Sequence, residues 1–398
     1  MKTIKFIQAI LVILTLGVLA QCKPQSQLKS GYWQGELQVS STKAIPFIFK
    51  VDENFAVSLV NASEELSEIE TLIIQDSVFI YFPIFDKTLK AKKIDQEHLT
   101  GYFYSHGQNK TICDWQASYK GERPTYSVNS FFSDVWHVNF QNQKTGIAIV
   151  NTTNTQMEGS VLRTGGDYRY LQGYAHADSA QLSGFNGGTA YLVNFEKVDS
   201  SNIKGNITYL SGSQESFTAY RNPNATLDNA KAISAVKQAG AGFPFQAQNL
   251  DGELVNQNNS LFAGKTLLIQ ISGSWCPNCM DETRYFTELH NKYQPKGLEI
   301  VSVYFEYSDD FAKSVAAIRR TQKNLNVPYT MLLGGKVSAE NVQKVFTNLQ
   351  NFYAYPTSVL VNKDGQVVHI YTGFSGPGTG KYFQTYKEEF ENSLIEIL

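Results

Sequence analysis

The sequence predicts two unlike halves, an all-β antiparallel region over residues 31–220 and an α/β domain over residues 243–398. Three observations carry that division. Between Gly31 and Tyr220, short runs alternate apolar and polar residues with a period of two and are rich in aromatic and β-branched side chains, as half-buried antiparallel strands are. After Gly242, strand-like apolar runs alternate with helical stretches, the pattern of a sheet with helices on both faces. The β region also repeats itself. GYWQGEL at Trp33 leads to DWQASYK, and DVWHVNF at Trp136 leads to SFTAYR; Trp33 lies 84 positions before Ala117 and Trp136 lies 83 before Ala219. The two halves fall at about residues 31–120 and 134–220.

Composition narrows the function. The chain has 398 residues, 34 basic and 36 acidic side chains and a formal net charge of −2. That balance lacks the basic field of a dedicated nucleic-acid binder. Four cysteines in this length exclude a disulfide-stapled scaffold.

The N-terminus begins Met1-Lys2-Thr3-Ile4-Lys5 and continues into an apolar run from Phe6 to Ala20, the layout of a secretory signal over residues 1–21. Leu19-Ala20-Gln21-Cys22 resembles a bacterial lipobox, although Gln21 departs from the usual small residue. The resemblance implies lipidation at Cys22, a tether over residues 22–30, and a mature protein held to a membrane outside the cytoplasm.

In the β region, residues 44–51, 77–82, 101–104, 146–150 and 190–195 read as strands. Residues 64–73 are too short and too β-branched to read as a helix. The halves fit two small barrels or one larger closed or sandwiched sheet; closure has the advantage of removing exposed edges. Residues 164–170 form a loop feeding a strand, and Phe185-Asn186-Gly187-Gly188 a tight hairpin. Tyr168, Arg169 and Tyr170 are possible binding contacts there, but shaping hairpins is the favoured reading. His98, His106, His137 and His176 lack metal-site spacing, so no metal is expected. Cys113, alone in a strand, reads as a small buried hydrophobe. Residues 221–242 read as a linker, with a short amphipathic helix over 225–238.

In the C-terminal domain, strands are expected at 243–250, 266–272, 298–304, 329–333, 357–361 and 367–372, and helices at 277–293, 309–325, 338–349 and 380–398. Asp364-Gly365 turns the last hairpin. The chemistry sits at Ser274-Trp275-Cys276-Pro277-Asn278-Cys279, where a buried strand gives way to a helix. Unpaired N–H groups and the positive helix end favour a Cys276 thiolate, the form that attacks disulfides. Cys279, about one helical turn further on, is placed to resolve the mixed disulfide. Pro277 suits the first turn, where a missing N–H costs little. Zinc also uses such spacing, but the nearest further ligand in this domain is His290 and there is no second cysteine pair.

Ala354-Tyr355-Pro356-Thr357-Ser358-Val359-Leu360-Val361 follows roughly eighty residues later. With this second motif, residues 243–398 resemble the thioredoxin superfamily, and within it the TlpA/ResA-like membrane-anchored thiol-disulfide oxidoreductases. The resemblance implies a thioredoxin fold and a cis bond at Pro356, flanked by Tyr355 and Thr357, that helps an extended substrate dock. It also implies that Trp275 shields the cysteines, and that Pro277 and Asn278 tune their potential. Thioredoxins carry a buried Asp at the position of Gln270. TlpA/ResA-like proteins often carry a Glu three residues after the second cysteine, here Glu282, which implies a proton acceptor for Cys279. Asp281 is expected to face solvent, and the glycine-rich stretch 374–380 to be structural.

The expected activity is reduction of disulfides in client proteins, with electrons from a membrane thiol donor, no cofactor and no nucleic acid. Two alternatives stay open. One is a redoxin-type thiol peroxidase, for which Ile269 and Gly273 stand where the Pxxx[TS]xxC pattern needs Pro and Thr or Ser. The other is a binding or assembly lipoprotein whose β region recognises a ligand and whose redox domain is accessory.

Overall fold

The structure is a computed structural model that describes residues 27–142, 144–227 and 233–398. The signal and Cys22 lie outside the described residues. No helix among the described residues is long and apolar enough to cross a membrane.

The first β unit runs through β1 (Gly31–Ser40), β2 (Lys43–Val51), β3 (Val57–Asn61), β4 (Glu64–Leu66), β5 (Glu70–Ile74), β6 (Ser77–Phe82), β7 (Lys87–Lys93), β8 (His98–Ser105) and β9 (Lys110–Gly121). They form one antiparallel sheet in the order β4-β3-β2-β1-β9-β8-β7-β6-β5, left open between β4 and β5. The second unit runs through β10 (Asp134–Phe140), β11 (Thr145–Thr152), β12 (Met157–Arg163), β13 (Gly166–Asp167), β14 (Leu171–His176), β15 (Ser179–Phe185), β16 (Ala190–Lys197), β17 (Asn202–Tyr209) and β18 (Gln214–Arg221). Here β12 pairs back onto β11, so the sheet closes into a barrel without free edges.

The internal repeat is visible in the register. Gly35 pairs with Ala117 and Val138 with Ala219, each two residues past the matching tryptophan. Trp33 and Trp136 are both fully buried, and each indole N–H donates to the carbonyl four residues earlier, Lys29 and Phe132, at 3.0 Å in both cases. The two units share a core. The β15–β16 hairpin pushes Phe185 into the open sheet, where its ring lies 5.0–5.4 Å from those of Phe47, Phe82 and Phe103. The open sheet is thus plugged by its neighbour, an arrangement that periodicity alone does not distinguish from two closed barrels.

The third unit adds β19 (Ala235–Val236), β20 (Gln246–Gln248), β21 (Leu254–Asn256), β22 (Thr266–Ser272), β23 (Leu298–Glu306), β24 (Thr330–Lys336), β25 (Leu349–Gln350), β26 (Thr357–Val361) and β27 (Val367–Thr372). Its helices are α1 (Pro277–Tyr293), α2 (Phe311–Asn324), α3 (Ala339–Val345) and α4 (Lys381–Ile395). The sheet order is β21-β20-β24-β23-β22-β26-β27, with β22, β23 and β24 parallel and β26 and β27 antiparallel to β22 and to each other. Successive strand residues face opposite sides, so Leu268 and Ile300 pack with α1, α2 and α4, while Leu267, Ile269 and Val301 pack with α3. This is the thioredoxin-like α/β arrangement.

Two expectations need correction. The helix expected over 225–238 is not seen where the segment is described: Ala235–Val236 is a strand paired with β25, and Lys237 donates its N–H to the Asn348 carbonyl at 2.8 Å. Residues 228–232 lie outside the described residues. A neighbouring backbone satisfied these polar groups, so local helical periodicity did not decide the conformation. For the same reason the expected helix over 338–349 ends at Val345, and Leu349 belongs to β25.

Candidate active site

Strand β22 is buried along its whole length and delivers the chain to α1 through Gly273-Ser274-Trp275. Cys276 is the N-cap of α1 and Pro277 its first residue. The Cys279 N–H donates to Cys276 Sγ at 3.2 Å, an unpaired helix-end donor satisfied by sulfur instead of a capping oxygen. Cys276 and Cys279 are joined in a disulfide. Cys276 is 4 % exposed and Cys279 0 %, so the first sulfur is the one a partner can reach.

Neighbouring segments brace this turn. The Trp275 indole N–H donates to the Phe305 carbonyl at 2.9 Å, and its ring packs tilted against Tyr307 and edge-to-face against Tyr355. The Tyr355–Pro356 bond is cis, as the resemblance implies, and the Tyr355 carbonyl oxygen lies 3.6 Å from Cys276 Sγ. Thr357 is buried, and its hydroxyl donates to the Ala354 carbonyl at 2.7 Å. Asn278 is half-buried.

A second acid, Glu306, escaped the sequence reading. It accepts the Ser274 N–H at 2.8 Å and the Ser274 hydroxyl at 2.7 Å, anchoring the segment just before Cys276. Burial pushes its carboxyl up to about 7. The available signal was an acid closing a largely apolar strand, LEIVSVYFE, next to the strand that leads to the cysteines.

Glu282 lies one turn beyond Cys279 and is fully buried. Its carboxylate accepts from Gln270 Nε2 at 2.9 Å, from Ser358 Oγ at 2.9 Å and from Tyr386 at 3.2 Å. Gln270 is held in turn by the Ser302 hydroxyl, at 2.6 Å, and its amide N–H also reaches the Cys279 carbonyl, at 3.4 Å. Desolvation dominates these bonds and pushes the Glu282 carboxyl up to about 7. A group that changes protonation near neutrality can exchange a proton with a thiol.

The β region takes part in the site, against expectation. Asp281 does not face solvent: it is buried, 2.6 Å from Arg169 Nη1 and 3.1 Å from Arg284 Nη1. Arg169 does more than shape a hairpin. Held at a φ of +59°, it bonds Glu64 at 2.6 Å and the Pro277 carbonyl, between the two cysteines, at 3.2 Å. Asp167 accepts the N–H groups of Gly376 and Arg169. Burial, with the Asp281 charge next, pushes the Asp167 carboxyl up to about 7. Gly376 and Gly378, in the stretch 374–380 expected to be structural, pack against Asp167 and the Arg169 backbone. Such contacts depend on residues more than a hundred positions apart and leave no local signature.

Arg169→Ala is expected to cost about 3–5 kcal/mol, because it leaves the half-buried Glu64 without its cation and the buried Asp281 with only Arg284. Arg169→Lys should recover only part, since an ammonium cannot reproduce the fork. Urea denaturation followed by tryptophan fluorescence checks both.

Cys113 is half-buried in β9, and burial pushes its thiol up to about 12, away from thiolate chemistry. Among the described residues, no group of three His, Cys, Asp or Glu side chains converges as a metal site would require.

This α/β domain, with a Cys-x-x-Cys disulfide capping a helix beside a cis-proline, has the thioredoxin-like oxidoreductase architecture. Residues 231–386 match the Redoxin family model, which makes the C-terminal part of the chain a redoxin domain with oxidoreductase chemistry. The same part is similar to the thiol-disulfide oxidoreductase ResA of Bacillus thuringiensis subsp. konkukian, at 28 % identity over 153 residues, covering 38 % of this chain and 74 % of the relative. It is similar to the thiol:disulfide interchange protein DsbE of Haemophilus influenzae at 26 % identity over 144 residues, covering 35 % and 71 %. Among solved structures it is similar to a thiol-disulfide oxidoreductase from Bacteroides fragilis, at 15 % identity and a TM-score of 0.28, covering 37 % of this chain and 99 % of that one.

Proposed function

We propose that the chain is a lipid-anchored thiol-disulfide oxidoreductase acting outside the cytoplasm, where it reduces disulfides of client proteins. The observation that carries this reading is the Cys276–Cys279 disulfide at the N-terminus of α1, with the buried Glu282 carboxyl one turn beyond. In the reduced enzyme the Cys276 thiolate attacks one client sulfur. The client S–S bond breaks, a mixed disulfide forms, and the departing client thiolate takes a proton. Cys279 gives its proton to Glu282 and attacks Cys276 Sγ, which releases the second client sulfur as a thiolate and forms the Cys276–Cys279 bond. The client gains two electrons and the enzyme loses two, which a membrane dithiol donor restores. Cis-Pro356, with Tyr355 and Thr357, docks the client; Trp275 shields the sulfurs; Pro277 and Asn278 tune their potential. Cys22 carries the lipid, and residues 22–30 form the tether.

Cys279→Ser tests the order of events. The variant is expected to accumulate a covalent, dithiothreitol-sensitive adduct between Cys276 and a disulfide substrate, seen by non-reducing electrophoresis and mass spectrometry. An adduct at Cys113, or none, would reject the assignment.

A further inference from the structure

We infer that the glycine-containing loop at residues 164–167 of the closed barrel is a specificity wall of the dithiol site, restricting it to disulfides carried on narrow, extended segments. The inference rests on the thiol-exchange reading above and names the substrate class for that site.

The loop touches three separate parts of the redox face. The Gly166 backbone lies against the Asn278 side chain, between the two cysteines, so closely that a Cβ on Gly166 would stand 2.0 Å from Asn278 Nδ2. Gly165 lies over Ala354, just before the cis bond, with its would-be Cβ 3.2 Å from the alanine methyl. The Thr164 carbonyl packs on Gly373, where a Cβ would meet that oxygen at 2.3 Å. Gly373 itself donates its N–H to the Pro356 carbonyl at 2.8 Å. These are backbone-to-backbone or backbone-to-side-chain approaches that leave no room for a client chain. Gly166 also holds a φ of +135°, which side-chain-bearing residues rarely adopt.

Buried polar bonds fix the loop in this place. Asp167 accepts the Gly376 N–H, and Arg169 grips Asp281 and the Pro277 carbonyl at 2.6 and 3.2 Å. The side of the site away from the loop remains open and is aromatic: Trp275 is half-buried and Tyr307 is 57 % exposed. Displacement at sulfur needs the attacking and leaving sulfurs nearly in line over Cys276. On this reading a convex globular surface seated there would meet the barrel, whereas a single extended strand lying along the Trp275 and Tyr307 side would not.

The full-length reduced chain is assayed on two substrates: insulin, as a compact protein, and two short linear peptides joined by one disulfide. The wall predicts that Gly166→Ala, whose methyl strains a backbone held at a φ of +135° and displaces the Asn278 amide, loosens the loop and raises the insulin-to-peptide rate ratio by about tenfold. Arg169→Lys, a milder loosening of the same loop, should move the ratio in the same direction. Both should also speed alkylation of reduced Cys276 by a bulky maleimide relative to iodoacetamide, a readout independent of turnover. An unchanged ratio alongside faster maleimide labelling would overturn the wall and leave thiol exchange standing. Wild-type rates that survive Cys276→Ser would remove the thiol-exchange reading and the wall with it.

Discussion

Cys276→Ser is expected to lower disulfide reduction by roughly three orders of magnitude or more, to the uncatalysed background. The reason lies in where the helix starts. Cys276 caps α1, so the Cys279 N–H and the positive helix end point at its sulfur and favour the thiolate. A serine hydroxyl at the same position stays protonated and forms no sulfur–sulfur bond. Cys279 is fully buried and cannot take over the attack on a client. The fold should be little affected, because serine is itself a favourable N-cap. Insulin turbidity with a dithiol donor measures the loss; a variant retaining a tenth of the wild-type rate would contradict the assignment of Cys276 as nucleophile.

Glu282→Gln is expected to slow resolution of the mixed disulfide by about a hundredfold at pH 8, the low end of what a positioned base contributes. The pH profile is the sharper readout. Burial holds the carboxyl protonated until about pH 7, so in the proposed mechanism it would accept a proton from Cys279 only above that point. The wild-type rate of resolution should therefore rise through pH 7, and the variant should lose that limb. Stability should move the other way. A carboxyl whose folded-state pKa is raised binds its proton more tightly in the native chain, so native stability falls as pH climbs from the ordinary carboxylate range through about 7. That decline is of order 3 kcal/mol for a fully buried group and is absent in the glutamine variant. Glu282→Gln should thus be slower but more resistant to urea at pH 8 than wild type. Equal stability of the two at pH 8 would mean the burial cost is offset elsewhere.

Much of this was legible because it is local. Strand β22, helix α1 and the cysteines between them follow from an apolar run, a proline at the first helical position and a thiol at the cap. The repeat was legible because each half needs a buried tryptophan in its first strand, and the spacing to the returning strand survives as register. Glu282 was legible as a position but not as an environment. Its setting depends on Gln270, Ser358 and Tyr386, which three other elements bring to it.

What the sequence determined by itself is the chemistry: a Cys-Pro-Asn-Cys pair opening a helix, a Tyr-Pro-Thr turn to face it, and an α/β domain to hold both. Periodicity and capping act over a few residues, and those residues are adjacent in the chain. Only the tertiary structure decided what surrounds that chemistry. It turned Asp281 inward to Arg169, plugged the open sheet with Phe185, and laid residues 164–167 against Asn278 and Ala354. The physical reason is the same in each case. Burying a charge or an apolar ring is favourable only against a particular partner, and here the partner arrives from a distant part of the chain.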